Sequence, residues 1–354
     1  MTSIISFIFV LGLLIFVHEF GHFITAKMVG IRVERFSLGF PPRMIGKKIG
    51  ETDYCISWLP LGGYVKMAGM VDETMNTDIR GEPWEFQSKP IWQRVIVISA
   101  GSFMNILTAV VIYAMLVYFV GMVQGTEGTK VGEVLEGRPA EAIGLQQGDV
   151  ITAVDGQPVS TWQELTEIIH SKPGTEIQIK WQRNGQTITK TVTPELQEER
   201  EIGLIGIAPE LVYQKFGLIE SFKYGVVNSY QTIAQILKAL KLIVTGEIEF
   251  KEAIGGPITI FQLTGESAKR GIDTLLMFTA FISLNLGFFN LLPFPVLDGG
   301  HLVFLAIEGI RRKPLSVKTK VVIQQIGMAF LLALMIFVIF NDIRRWDQLK
   351  NLFP

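Results

Sequence analysis

Charge is scarce in this sequence: Asp, Glu, Lys and Arg make up 18% of its 354 residues, where a soluble chain carries about a quarter. Hydrophobic residues reach 49% and mean hydropathy is +0.37, so the deficit points to a membrane. A basic excess is missing as well. The 32 Lys and Arg are balanced by 33 Asp and Glu, a formal net charge of −1, which argues against a nucleic-acid partner. Cys55 is the only cysteine, which excludes an intrachain disulfide and any multi-cysteine metal site. Histidine is nearly as rare. A zinc site must be built from His18, His22, His170 and His301 together with carboxylates.

What the chain has in quantity is long apolar runs. A helix needs about 20 apolar residues to cross a bilayer. Residues 1–17 carry no charge, and the apolar run resumes after His22 as far as Ala26. A signal peptide would need a basic start and a small-residue cleavage site, and neither is present. Further charge-free runs cover 95–126, 274–297 (continuing through 302–307) and 321–341. The expectation is an α-helical polytopic membrane protein with spans near 4–27, 95–121, 274–308 and 320–342. Phe222 to Val244 is also apolar, but Lys238 and Lys241 interrupt it. It reads as an amphipathic helix on the membrane surface or against the spans, within a linker region 215–270. A fifth span is the competing reading.

Four spans put both termini on one side. The loop from Arg311 to Lys320 holds five Lys/Arg (Arg311, Arg312, Lys313, Lys318 and Lys320) and no acid, so it is expected in the cytoplasm. The region from Lys27 to Arg94 then falls on the same side, and the termini and everything from about 127 to 273 lie outside. Within that outside segment, Lys130 to Thr193 alternates apolar and polar residues. Glu176 to Trp181, the turn Asn184-Gly185 and Thr187-Ile188-Thr189 form a hairpin signal. Trp162 to His170 reads as a short helix with Leu165, Ile168 and Ile169 inward. A β-rich domain over 128–208 follows.

His18-Glu19-Phe20-Gly21-His22 ends the first run. Histidines four residues apart share one helix face and can reach one metal ion. Glu19 between them can act as general base toward a water at that metal. An ionisable residue at the centre of a span costs roughly 2.5–3.5 kcal/mol on insertion scales, so three polar residues in five positions are hard to explain as passengers. A Glu–His hydrogen-bonded cluster between helices is the bland alternative. Zinc needs a third protein ligand, with a fourth position left open. Met28 stands where soluble zincins have a third histidine, and His170 belongs to the charged outside domain. Asp298 and His301 remain. Pro293 and Pro295 cannot continue a regular helix, so the third span breaks beside Asp298. Irregular backbone at membrane depth needs protein or a water-filled cavity around it. Asp298 is therefore the expected third ligand, and His301 the alternative.

The sequence resembles the site-2 protease family of intramembrane zinc metalloproteases, in its bacterial RseP type with a single inserted PDZ domain. The resemblance rests on His18 to His22, on Asn290 to Gly299 (NLLPFPVLDG) and on Leu61 to Met67 (LGGYVKM), in that placement on opposing spans. It implies one zinc ion held by His18, His22 and Asp298, with Glu19 as base and proton shuttle. It also implies substrate contacts at Asn290 and Asn285 and at the neighbouring Pro293 and Pro295. For each asparagine, a helix–helix hydrogen bond is the alternative. The cytoplasmic stretch 30–70 has the strand-like pieces and glycines of the family's membrane-associated β-structure. Pro41 stands where the family commonly has a glycine, and Ser102 where it usually has proline, while Asn105 matches.

Gly137 to Ile151 and Ala153 to Val159 resemble the peptide-binding loop and following strand of PDZ domains. Such a domain binds an extended chain or a peptide C-terminus, or else it only blocks bulky proteins. The resemblance further implies a protein of the bacterial cytoplasmic (inner) membrane, in contact with lipid, with its active site toward the cytoplasm. Its partners would be single-span membrane proteins, such as anti-sigma factors or remnant signal peptides, already shortened outside by another protease. A catalytically silent peptide receptor and a zinc carrier are the competing functions. Neither needs Glu19.

Overall fold

Four helices long and apolar enough to cross a membrane dominate the computed structural model, which describes residues 2–70, 79–197 and 201–344. The chain forms two compact units, Met1–Val117 with Gly217–Pro354, and Tyr118–Phe216. Residues 345–354, the C-terminal end expected beyond the last span, lie outside the described residues.

Helix α1 (Thr2–Met28) is followed by strands β1 (Val33–Ile49) and β2 (Thr52–Met67). The two strands fold so that residues 35–38 have partners on both sides; Ser37, for example, pairs with Tyr64 and with Cys55. Val33, Phe36 and Ser37 are buried, whereas residues 41–49 are exposed. A single 3-10 turn (Phe86–Ser88) leads into α2 (Ile91–Phe119).

The second unit then runs β3 (Met122–Val134), α3 (Pro139–Ala142), β4 (Val150–Val154), β5 (Gln157–Pro158), α4 (Trp162–His170), β6 (Ile177–Arg183), β7 (Gln186–Val192), β8 (Glu195–Gln197), β9 (Ile202–Leu204) and β10 (Ile207–Gln214). Its main sheet has the order β10-β3-β4-β6-β7, with β5 beside β4. The expected hairpin is present. Asn184 and Gly185 both take positive φ, 51° and 80°, which a two-residue turn of matching twist requires. Helix α4 begins in a capping box between Thr161 and Glu164, and hydrogen bonds from Ser160 hold the Glu164 carboxyl below its ordinary pKa. Leu165 and Ile169 face a core of Val131, Ile151, Ile177, Ile179 and Trp181.

This domain carries a groove of about 270 Å³ lined by Leu135, Arg138, Thr166, Ile169, His170 and the segment from Leu204 to Ile207. The PDZ-like stretch 137–151 thus contributes only Arg138 to it. The larger share comes from α4 and the segment entering β10, because β10 is an end strand of the sheet.

The membrane unit resumes with α5 (Leu218–Val244), α6 (Phe250–Ala253), α7 (Pro257–Arg270), α8 (Ile272–Asn290), α9 (Asp298–Arg311) and α10 (Val317–Arg344). Helix α5 packs against the spans: a Cβ on Gly225 would stand 2.5 Å from the Val110 carbonyl oxygen. Small residues permit similar close approach between α1 and α2, where a Cβ on Gly21 would meet the Ala100 carbonyl oxygen at 2.5 Å. Membrane helices associate by such packing because lipid offers no hydrophobic contrast. Ala26, Val33, Phe36, Met67, Val97, Ile98 and Leu305 form one core uniting α1, the small sheet, α2 and α9.

Candidate metal centre

Helix α1 carries no proline and no charge before its histidine pair, so His18 and His22 stay in register one turn apart. Both are buried, at 9% and 7% exposure, as is Glu19 at 9%. The third participant comes from the break after α8. Leu291 to Leu297 cannot remain helical around Pro293 and Pro295, and the chain turns so that Asp298 opens α9. Gly299 and Gly300 follow it because the loop folds back on them. Cβ atoms there would lie 2.1 Å from the Leu292 carbonyl oxygen and 2.3 Å from that of Phe294. Helix α10 braces the loop through Phe294 on Phe330, ring centroids 5.3 Å apart. Gly327 presses on Pro295 in the same region. Within the loop, Val296 takes φ 81°, a left-handed conformation that β-branched residues strongly disfavour.

The Nε2 atoms of His18 and His22 are 3.2 Å apart. Asp298 Oδ2 is 3.4 Å from His18 Nε2, and Oδ1 is 3.4 Å from His22 Nε2. Zinc ligands about 2.0–2.1 Å from a tetrahedral centre stand about 3.3–3.4 Å from one another, so these three side chains have the spacing that zinc requires. Among the described residues they form the group able to hold a metal ion. His301, the alternative third ligand, lies outside it, with Nε2 3.3 Å from Gln324 Nε2. His170 belongs to the other unit.

Helix α2 supplies no member of the group, yet it touches all three. Val97 O accepts from His22 Nδ1 at 2.8 Å, Ser102 Oγ donates to Asp298 Oδ2 at 3.1 Å, and the Asn105 amide lies 3.1 Å from His18 Nδ1. Gly101 leaves room for the His22 ring. The small sheet reaches the site through Gly63, where a Cβ would stand 2.8 Å from Glu19 Cγ. Gly63, Ser102 and Asn105 thus belong to the site although the sequence gives them no place there. The signal available was the recurrence of Val97, Gly101 and Asn105 at four-residue intervals, which sets them on one face of a helix.

The expected substrate-contact residues are dispersed. Asn290, the last residue of α8, brings Nδ2 within 3.5 Å of His18 Nε2. Asn285 donates to its own helix at Phe281 O, 2.8 Å away. Pro293 is exposed and Pro295 half-buried.

A histidine pair, an aspartate and a glutamate gathered between apolar helices are the makings of a metallopeptidase set in a membrane. The chain belongs to peptidase family M50, which is matched over residues 6–334. A Clostridium perfringens relative is 39% identical over 330 residues, covering 93% of this chain and 95% of that protein. The zinc metalloprotease RasP of Oceanobacillus iheyensis is 32% identical, covering 98% and 99%. The regulator of sigma-W protease RasP of Bacillus subtilis is also 32% identical, covering 97% and 99%. Among solved structures, the chain is similar to the PDZ domain of the SdrC-like protein of Listeria innocua. That likeness has 32% identity and a TM-score of 0.22, covering 23% of this chain and 93% of that one.

Proposed function

We propose that this integral membrane metallopeptidase hydrolyses peptide bonds within the transmembrane segments of single-span membrane proteins, as the second cut of regulated intramembrane proteolysis. The observation that carries the proposal is the spacing of His18, His22 and Asp298, contributed by a membrane-length helix and a proline-broken one. The name of the Bacillus subtilis relative, a protease that regulates sigma-W, supports substrates of the anti-sigma-factor type. Remnant signal peptides are short single spans of the same kind. The Lys/Arg distribution supports an inner-membrane protein with its site toward the cytoplasm and with its termini and β-rich insert outside.

In this reading His18, His22 and Asp298 hold one zinc ion. A zinc ion held there supplies a Lewis acid that polarises the scissile carbonyl and lowers the pKa of water. Glu19 takes the proton of the attacking water and returns it to the leaving amide nitrogen. Glu19 is buried, with its Cγ packed close to Gly63 of the small sheet. A substrate helix hides its peptide bonds in internal hydrogen bonds, so it must unwind before attack. Asn290 and Asn285, with the irregular backbone around Pro293 and Pro295, offer replacement partners for the freed groups.

The test is cleavage of a single-span substrate by the purified full chain, with Glu19→Gln alongside. The wild type should cut and the variant should lose at least 100-fold in rate, within the range general acid–base groups supply. Equal cleavage by both proteins would refute the mechanism. Zinc uptake without cleavage of any substrate in a panel would favour a peptide receptor instead.

A further inference from the structure

His22 and His18 both turn Nε2 toward Asp298, but their outer nitrogens meet different groups. Behind His22 stands a main-chain carbonyl, Val97 O at 2.8 Å. A carbonyl can only accept, so Nδ1 carries the proton and Nε2 keeps a free lone pair. Behind His18 stands the side-chain amide of Asn105, fully buried on α2, with Nδ2 at 3.1 Å from Nδ1 and Oδ1 without a partner. In that orientation the amide donates to Nδ1 and forces the ring proton onto Nε2. A protonated Nε2 faces Asp298 Oδ2 well enough, but it has no lone pair for a metal. Neutral imidazole has one donor and one acceptor nitrogen, and the partner of one sets the role of the other.

We infer that Asn105 is the positioning residue for His18: turned by 180° about its last bond, it presents Oδ1 to the Nδ1 proton and leaves Nε2 free to hold metal. Oxygen and nitrogen of an amide are nearly isosteric, so the turn needs no movement of α1 or α2. It gives the unpartnered Oδ1 a donor. The same turn makes the two histidines alike, each with its proton held by an acceptor on α2. Such outer partners of a metal-bound imidazole are worth about 10- to 100-fold in metal affinity. The Gly101 carbonyl also lies near His18; like Val97 O it belongs to α2 and keeps a second lone pair, so the leucine variant below tests whether it can replace Asn105.

The inference rests on the reading of His18 as a zinc ligand, and the experiment separates the two. Zinc affinity of the full chain in detergent is measured by chelator competition for wild type, Asn105→Leu and Asn105→Asp, with thermal unfolding of the metal-free forms as a check on folding. Aspartate offers an acceptor and no amide donor, whereas leucine offers neither. The expected result is a 10- to 100-fold loss for Asn105→Leu and near wild-type affinity for Asn105→Asp. Wild-type affinity in a folded Asn105→Leu would overturn the inference, since Gly101 would then suffice. If Asn105→Leu fails to fold, Asn105→Asp alone decides: a tenfold or greater loss there overturns it, and retained affinity supports it. A wild-type chain that takes up no zinc sinks the ligand reading as well.

Discussion

The His22 ring stands where a side chain on Gly101 would begin: a Cβ built on Gly101 lies 2.3 Å from His22 Nε2. That nitrogen is the atom the ring turns toward Asp298. Gly101→Ala should therefore displace the ring rather than simply crowd a helix interface. Alanine is the better helix former by about 1 kcal/mol, so α2 itself should not suffer. The expected outcome is a folded protein with zinc affinity reduced at least tenfold in a chelator titration. Unchanged affinity would mean that the ring can move and still bind.

Ser102 is a second point where α2 acts on the site. Its hydroxyl donates to Asp298 Oδ2 at 3.1 Å, in a fully buried position. Hydrogen bonds to charged groups are worth about 1.5–3 kcal/mol. Ser102→Ala should weaken zinc binding by about tenfold and change the unfolding midpoint of the metal-free protein little. Loss of stability without loss of affinity would make the contact purely structural.

The membrane helices, the β-rich insert and the histidine pair were legible because each follows from local pattern. Apolar runs of span length, the alternation before Asn184-Gly185 and the four-residue spacing of His18 and His22 all read directly. Asp298 was reachable by elimination, since Pro293 and Pro295 marked the break beside it. What could not be read was anything depending on which helix faces which. Val97 serves His22 through its carbonyl, which any residue possesses, and Gly101 matters for the space it leaves.

Val296 holds a left-handed conformation two residues before Asp298. Strained positions of this kind cost about 1–3 kcal/mol and persist where the surroundings over-determine them. Glycine adopts the same conformation freely. Val296→Gly should therefore unfold no earlier than the wild type despite losing an isopropyl group. It should also cut more slowly, because the segment carrying Asp298 gains freedom. An unfolding midpoint several degrees lower would show that packing of the side chain, rather than strain, dominates here.

Glu308 binds two cations at once, with Arg94 Nη1 at 2.9 Å from Oε2 and Lys320 Nζ at 2.7 Å from Oε1. All three are buried, at 2%, 7% and 7% exposure, and the Leu315 amide donates to the same carboxylate. The group ties α9 to α2 and α10 at the end of α9 away from Asp298. Removing one member of a buried ionic group costs about 3–5 kcal/mol, because the partner charge is left uncompensated. Here two like charges would face each other, which places Glu308→Ala at the upper end of that range. The zinc-loaded variant should unfold at a markedly lower temperature than the wild type. Zinc per folded molecule should be unchanged, since ten residues of helix, about 15 Å, separate Glu308 from Asp298. Replacing Arg94 by leucine as well should recover part of the loss, because one buried cation then disappears with the acid. A single Glu308→Ala variant that melts with the wild type would mean that water reaches the two cations and the group is not sealed.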